Sequence, residues 1–106
     1  MNLGAGSAQG PIYRVELAPE VADIVRGLPP EVKRQVKQAL TYLRNHPDAG
    51  KILIGELAGL RSYRARRFRI VYQLAESPRC VLILYVGHRR TVYEELTRWI
   101  KNQQRP

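Results

Sequence analysis

In 106 residues, 44% of them hydrophobic, the chain can bury one core and is too short for two ordinary domains. Eighteen Lys and Arg against nine Asp and Glu give a formal charge of +9, a surplus that favours a polyanionic partner, nucleic acid first, through release of its counterions. The longest apolar run, Cys80 to Val86, is far short of the roughly 18 residues that a membrane-crossing helix needs, so no membrane partner is expected. Residues 1–10 are uncharged and rich in Gly, Ala and Ser, which predicts a flexible leader ahead of one domain over 11–106 and does not resemble a signal peptide. The lone cysteine, Cys80, excludes an internal disulfide, suits a reducing cytoplasm and reads as a small core residue.

In chain order, Ile12 to Leu17 is β-rich, and Ala18-Pro19-Glu20 then opens a helix with Pro and an acid in its first turn. Val21, Ile24, Val25 and Leu28 keep helical spacing, Gly27 marks a stop, and Pro29-Pro30-Glu31 starts a second helix. Its apolar positions Val32, Val36, Ala39, Leu40 and Leu43 form one stripe, with Lys33, Arg34, Lys37 and Arg44 on other faces, so the pair reads as an αα-hairpin. Asn45 to Gly50 is turn chemistry, and His46 reads as a loop residue. Ser62 to Ala65, Phe68 to Leu74 and Cys80 to Val86 are three successive antiparallel strands, the last apolar on both faces and therefore covered twice. Thr91 can cap a final helix whose stripe is Val92, Leu96, Trp99 and Ile100. The predicted fold is α+β with the order β-α-α-β-β-β-α: a small antiparallel-rich sheet, an N-terminal helical hairpin and a C-terminal helix.

Charge concentrates in one place. Arg61, Arg64, Arg66, Arg67 and Arg69 crowd into nine positions, and no acid occurs between Glu56 and Glu76. A tight turn at Arg66-Arg67 sets Ala65 opposite Phe68 and Arg64 opposite Arg69. Alternation then puts Tyr63, Phe68, Ile70, Tyr72 and Leu74 on a core face, and Ser62, Arg64, Arg69, Val71 and Gln73 on the other, the expected site. Two guanidinium groups with Cβ atoms roughly 5 Å apart destabilise a sheet unless an anion lies between them. Phosphate fits, and arginine suits bidentate phosphate contact better than lysine. The bland alternative is that these arginines splay into solvent or pair with Glu16 or Glu56.

Leu57-Ala58-Gly59, Tyr63-Arg64, Phe68 to Tyr72 and Val86-Gly87-His88-Arg89-Arg90-Thr91-Val92-Tyr93 resemble the signature blocks of the RelE/ParE type II toxins, in the same order and at similar spacing. The likeness runs over 12–100 and implies that family's fold. RelE-like members cleave mRNA in the ribosomal A site and are neutralised by a cognate antitoxin, whereas ParE-like members inhibit DNA gyrase. The closing Gly87-His88-Arg89 and Tyr93 are similar to the RelE-like pattern. The resemblance implies catalytic positions at Arg64, Arg69, Arg89, Tyr93 and His88, with Arg61, Arg66, Arg67 and Arg90 as further RNA contacts. Two departures stand out: the family has Gly where the hairpin turn here carries Arg66, and Ser62 occupies the first of two basic strand positions in an ungapped alignment. With a gap, Arg64 and Arg66 fill those two positions instead.

Cleavage by the neighbouring 2′-hydroxyl needs that hydroxyl deprotonated, the phosphorane charge stabilised and the 5′-oxygen protonated. Arginines can stabilise the phosphorane but stay protonated and are poor bases. His88 and Tyr93 are the proton-transfer candidates, and Tyr93 can also stack on a base. No His, Cys or carboxylate cluster has metal-ligand spacing and no phosphate loop is present, so a metal-independent endoribonuclease without small-molecule cofactors is expected. Its expected partners are mRNA on the ribosome and an antitoxin. Gyrase inhibition without nuclease activity, or a non-toxic nucleic-acid-binding domain, are the alternatives.

Overall fold

The structure is a computed structural model that describes residues 13–103; the leader expected over 1–10 lies outside them. Its elements are β1 (Arg14–Leu17), α1 (Pro19–Arg26), α2 (Pro30–Asn45), β2 (Lys51–Ile52), a 3-10 turn (Gly55–Leu57), β3 (Arg61–Ala65), β4 (Phe68–Glu76), β5 (Arg79–His88) and α3 (Val92–Gln103). The fold is α+β, as the patterning predicts, with two added elements: the 3-10 turn and the two-residue strand β2. Two residues carry no alternation to read. Pairing to Arg61 and Ser62 defines this strand.

The five strands lie in the order β1-β5-β4-β3-β2. β3, β4 and β5 form the antiparallel meander, and β1 joins β5 in parallel, so β5 has neighbours on both sides. Each helix of the hairpin begins with proline in its first turn, where the missing N–H costs nothing. Val21 and Val25 of α1 and Val36, Ala39 and Leu43 of α2 pack on Tyr63, Ala65, Phe68, Ile70 and Tyr72, with Val81, Ile83 and Val86 of β5. α3 covers the other face, where Val92, Leu96, Trp99 and Tyr93 pack with Leu53, Leu57, Val71 and Tyr85. A bulge serves both layers. Val71 pairs with Tyr85 but Tyr72 with Ile83, leaving Leu84 as the extra residue. The phase change lets Val81, Ile83 and Val86 all face the hairpin while Tyr85 meets α3.

Tyr72 ties this frame to the loop after α2. Its ring is fully buried; its hydroxyl donates to the Pro47 carbonyl (2.8 Å) and accepts the Gly50 N–H (2.8 Å). Burial holds its pKa above the usual tyrosine value. Gly50 is glycine because a Cβ there would lie 2.6 Å from the Tyr72 hydroxyl oxygen. Tyr72→Phe keeps the packing but strands the Gly50 N–H, and is expected to cost about 1–3 kcal/mol. A thermal melt checks this, since each kcal/mol corresponds to roughly 4–8 °C in a domain of about this size; an unchanged midpoint contradicts it.

Candidate functional site

The hairpin closes at Arg66-Arg67, with Ala65 opposite Phe68 and Arg64 opposite Arg69. Arg66 occupies φ 60, the left-handed region that favours glycine. The Arg64 Nε donates to the Arg66 carbonyl (2.9 Å), bracing the turn. The Arg67 carbonyl accepts the Arg89 N–H (2.7 Å), which ties the turn to the segment leaving β5. Arg64, Arg66, Arg67, Arg89 and Arg90 are all exposed. The carboxylate ion pairs among the described residues lie elsewhere: Glu16 is taken by Arg14 and Glu56 by Lys101, and the other two pairs are internal to α1 and α2. The opposed arginines are not neutralised by either acid that sequence offered.

Beside this cluster, Ser62 is the common partner of two functional side chains. It is 2% exposed, the buried polar residue of the core. Its Oγ accepts a hydrogen bond from Arg69 NH1 (3.1 Å) and another from the Tyr93 hydroxyl (3.0 Å). Tyr93, the second residue of α3, is thereby fixed against a strand residue 31 positions earlier. Gly87 makes room for this approach. It pairs with Arg69, and a Cβ on it would come within 3.2 Å of Val92 and 3.3 Å of Tyr85, so the first turn of α3 sits close on β5. Thr91 precedes that turn, its hydroxyl donating to Glu95 (2.9 Å). The ring of Tyr93 also borders a hollow of about 470 Å³, whose other walls include Ile52, Leu53, Leu57 and Thr97.

Not every expected residue gathers here. His88 pairs with Phe68 and meets its ring edge-to-face (5.8 Å between centroids). Paired residues share a face, so His88 lies with Phe68 on the hairpin side, opposite Arg69 and Tyr93. Arg61 is on that side too, opposite Tyr72, and its NH1 donates to the carbonyls of Asp48 (3.2 Å) and Gly50 (3.1 Å). The face expected to be open is closed in its middle: Ser62 and Val71 are buried, while Arg64 and Gln73 are exposed. Val71 is fully buried under α3, because the apolar stripe of that helix needs a surface. Among the described residues no group of three or more His, Cys, Asp or Glu side chains is placed to hold a metal ion. Sequence reasoning marked Ser62 only as a departure, and nothing local pairs it with Tyr93.

The family model for the ParE toxin of the type II toxin-antitoxin system parDE matches residues 12–93. Among solved structures, the toxin-antitoxin complex RelBE2 of Mycobacterium tuberculosis is similar at 32% identity, over 73% of this chain and 98% of that one, with a TM-score of 0.68. The isolated RelE toxin of E. coli (24% identity, 83% and 98% covered, TM-score 0.63) and the RelE-RelB complex of Pyrococcus horikoshii (21%, 74% and 96%, TM-score 0.60) share the fold. No match is found among curated proteins. The chain is a type II toxin and belongs to the RelE/ParE superfamily.

The strained turn yields a test of its own. Arg66→Gly relieves a left-handed cost of roughly 1–2 kcal/mol and adds roughly 0.5–1 kcal/mol of chain entropy to the unfolded state, so a net gain of up to about 1.5 kcal/mol is expected in urea unfolding. A lower midpoint contradicts the assignment of strain to Arg66.

Proposed function

We propose that this toxin is a ribosome-dependent endoribonuclease that cuts mRNA at the Arg69, Ser62 and Tyr93 cluster. The observation that carries the reading is the convergence of the Arg69 guanidinium and the Tyr93 hydroxyl on one atom, Ser62 Oγ, at 3.1 and 3.0 Å, beside an exposed arginine turn. A phosphodiester held there meets a fixed cation and a fixed hydroxyl together. The 2′-oxygen forms a bond to phosphorus, the bond to the 5′-oxygen breaks, and a cyclic phosphate and a free 5′-hydroxyl result. Arg69, with Arg64 and Arg89 at the same end of the sheet, neutralises charge on the phosphorane. Arginine does not release its proton at neutral pH, so Tyr93 carries proton transfer. His88 faces Phe68 and has no part in this scheme. Arg66, Arg67 and Arg90, exposed around the turn, hold flanking phosphates. The hollow beside the Tyr93 ring receives an adjacent unpaired base.

The solved RelBE relatives are toxin-antitoxin complexes, which supports a cognate antitoxin as protein partner. An acidic or amphipathic antitoxin segment would neutralise the arginines that no acid of this chain pairs. No helix among the described residues is long and apolar enough to cross a membrane, in keeping with action on ribosomes in the cytoplasm.

Purified toxin added to translating ribosomes is expected to cleave the bound mRNA. Arg69→Ala and Tyr93→Phe are expected to lose about 100-fold or more in rate, the scale on which removing one electrostatic or proton-transfer group acts. Cleavage at the wild-type rate in both variants would overturn the site. A second reading is favoured by the family model itself, which describes a ParE toxin. Inhibition of gyrase supercoiling with RNA left intact would select it.

A further inference from the structure

The opposite flank of the hairpin carries aromatic rings that the cluster above does not use. Tyr42, in the last turns of α2, is 44% exposed. Its ring stacks on His46 (4.2 Å between centroids, 16° between planes) and on Tyr63 (5.6 Å, 22°). Tyr63 is half-buried against the core, whereas Tyr42 and His46 are exposed. Beside them runs a groove of about 270 Å³ between α2 and β3, lined by Gln35, Gln38, Tyr42, Tyr63, Arg64 and Arg66. β2 pairs only with Arg61 and Ser62, so it does not cover β3 along this groove. Glu31 pairs with Arg34 and accepts from Gln35 (3.3 Å), and no acid lines the groove itself. Lys33, Arg34 and Lys37 continue the positive flank along α2.

We propose that this groove holds an unpaired nucleobase of single-stranded RNA, stacked against Tyr42 and Tyr63, with its phosphates on Arg64 and Arg66. Planar near-parallel rings offer a π-face that every base can use. The side-chain amide of Gln38 can donate to and accept from a base edge. The groove, at about 270 Å³, is smaller than the roughly 300–1,000 Å³ typical of pockets for drug-sized ligands. Arg64 links the two places: it lines this groove and stands opposite Arg69 in register. A strand cut beside Tyr93 therefore passes over the arginine turn and anchors here. The inference rests on the RNA reading above and adds a second contact point away from the reacting phosphate.

The test is fluorescence anisotropy of a short 5′-labelled oligouridylate, methylated at its 2′-hydroxyls so that it is not cut, with the full chain. Tyr42→Ala is expected to weaken binding by roughly 5- to 150-fold, the range for loss of one stacked base, and Tyr42→Phe to leave it within about twofold. Photo-crosslinking with 5-iodouridine in the same oligonucleotide is expected to mark Tyr42 or Tyr63, a readout independent of any effect of Tyr42→Ala on folding. Wild-type affinity in Tyr42→Ala together with crosslinks confined to Tyr93 overturns the groove while the cleavage site stands. Normal oligonucleotide binding with lost antitoxin capture in Tyr42→Ala also overturns it, since the groove is then a protein dock. No binding by the wild-type chain overturns the groove, while ribosome-dependent cleavage stands or falls on its own assay.

Discussion

Two arginines held opposite each other on neighbouring strands are the constraint around which the functional end of this protein is arranged. Arg64 and Arg69 are paired by the register of β3 and β4, and the turn between them adds Arg66 and Arg67. Like charges in that position destabilise the sheet. The core tolerates them because the other face of the same strands is densely buried: Ile70 and Tyr72 are fully enclosed, and a one-residue slip would carry them to the wrong side. Hydrophobic burial thus enforces a pairing of like charges that a bound anion would relieve; Arg64 turns to the Arg66 carbonyl and Arg69 to Ser62. Stability and function pull against each other at this hairpin, and the left-handed Arg66 adds to the strain.

The proposed site is completed by the placement of α3. Its first turn lies close on β5 because Gly87 has no Cβ, and Val92 and Leu96 anchor it over Val71. Tyr93 then reaches Ser62, and Ser62 in turn holds Arg69. Ser62 is a positioning residue: it is buried, neutral and shared, so it sets the spacing of two groups that have no direct bond to one another. A basic residue in its place would add charge at a point now 2% exposed.

Much of this was legible in the sequence, for identifiable reasons. The turn at Arg66-Arg67 was legible as the one short connection between two β-rich runs, and alternation from it puts Tyr63, Phe68, Ile70 and Tyr72 on one face. The proline-led helices and the doubly covered β5 were legible because their apolar positions repeat with a helical or strand period. Parity also contained a signal about Arg61, which shares the face of Tyr63 and so belongs to the loop after α2, not to the exposed turn. His88 shows the limit of reading by adjacency: one residue from Arg89, it turns to the opposite face of the sheet. The bond between Tyr93 and Ser62 left no local trace, because it depends on how closely a helix packs on a strand. The bulge at Leu84 was equally hidden, since an unbroken apolar run looks the same with or without a change of phase.

The central claim is that the cluster at the hairpin end cuts RNA, and transcriptome-wide mapping of RNA 5′-ends after induction tests it most directly. Cells expressing the wild-type chain are expected to accumulate new 5′-ends within translated reading frames, and cells expressing Tyr93→Phe are not. Growth arrest by the wild-type chain with no new 5′-ends would contradict the account and leave gyrase as the target.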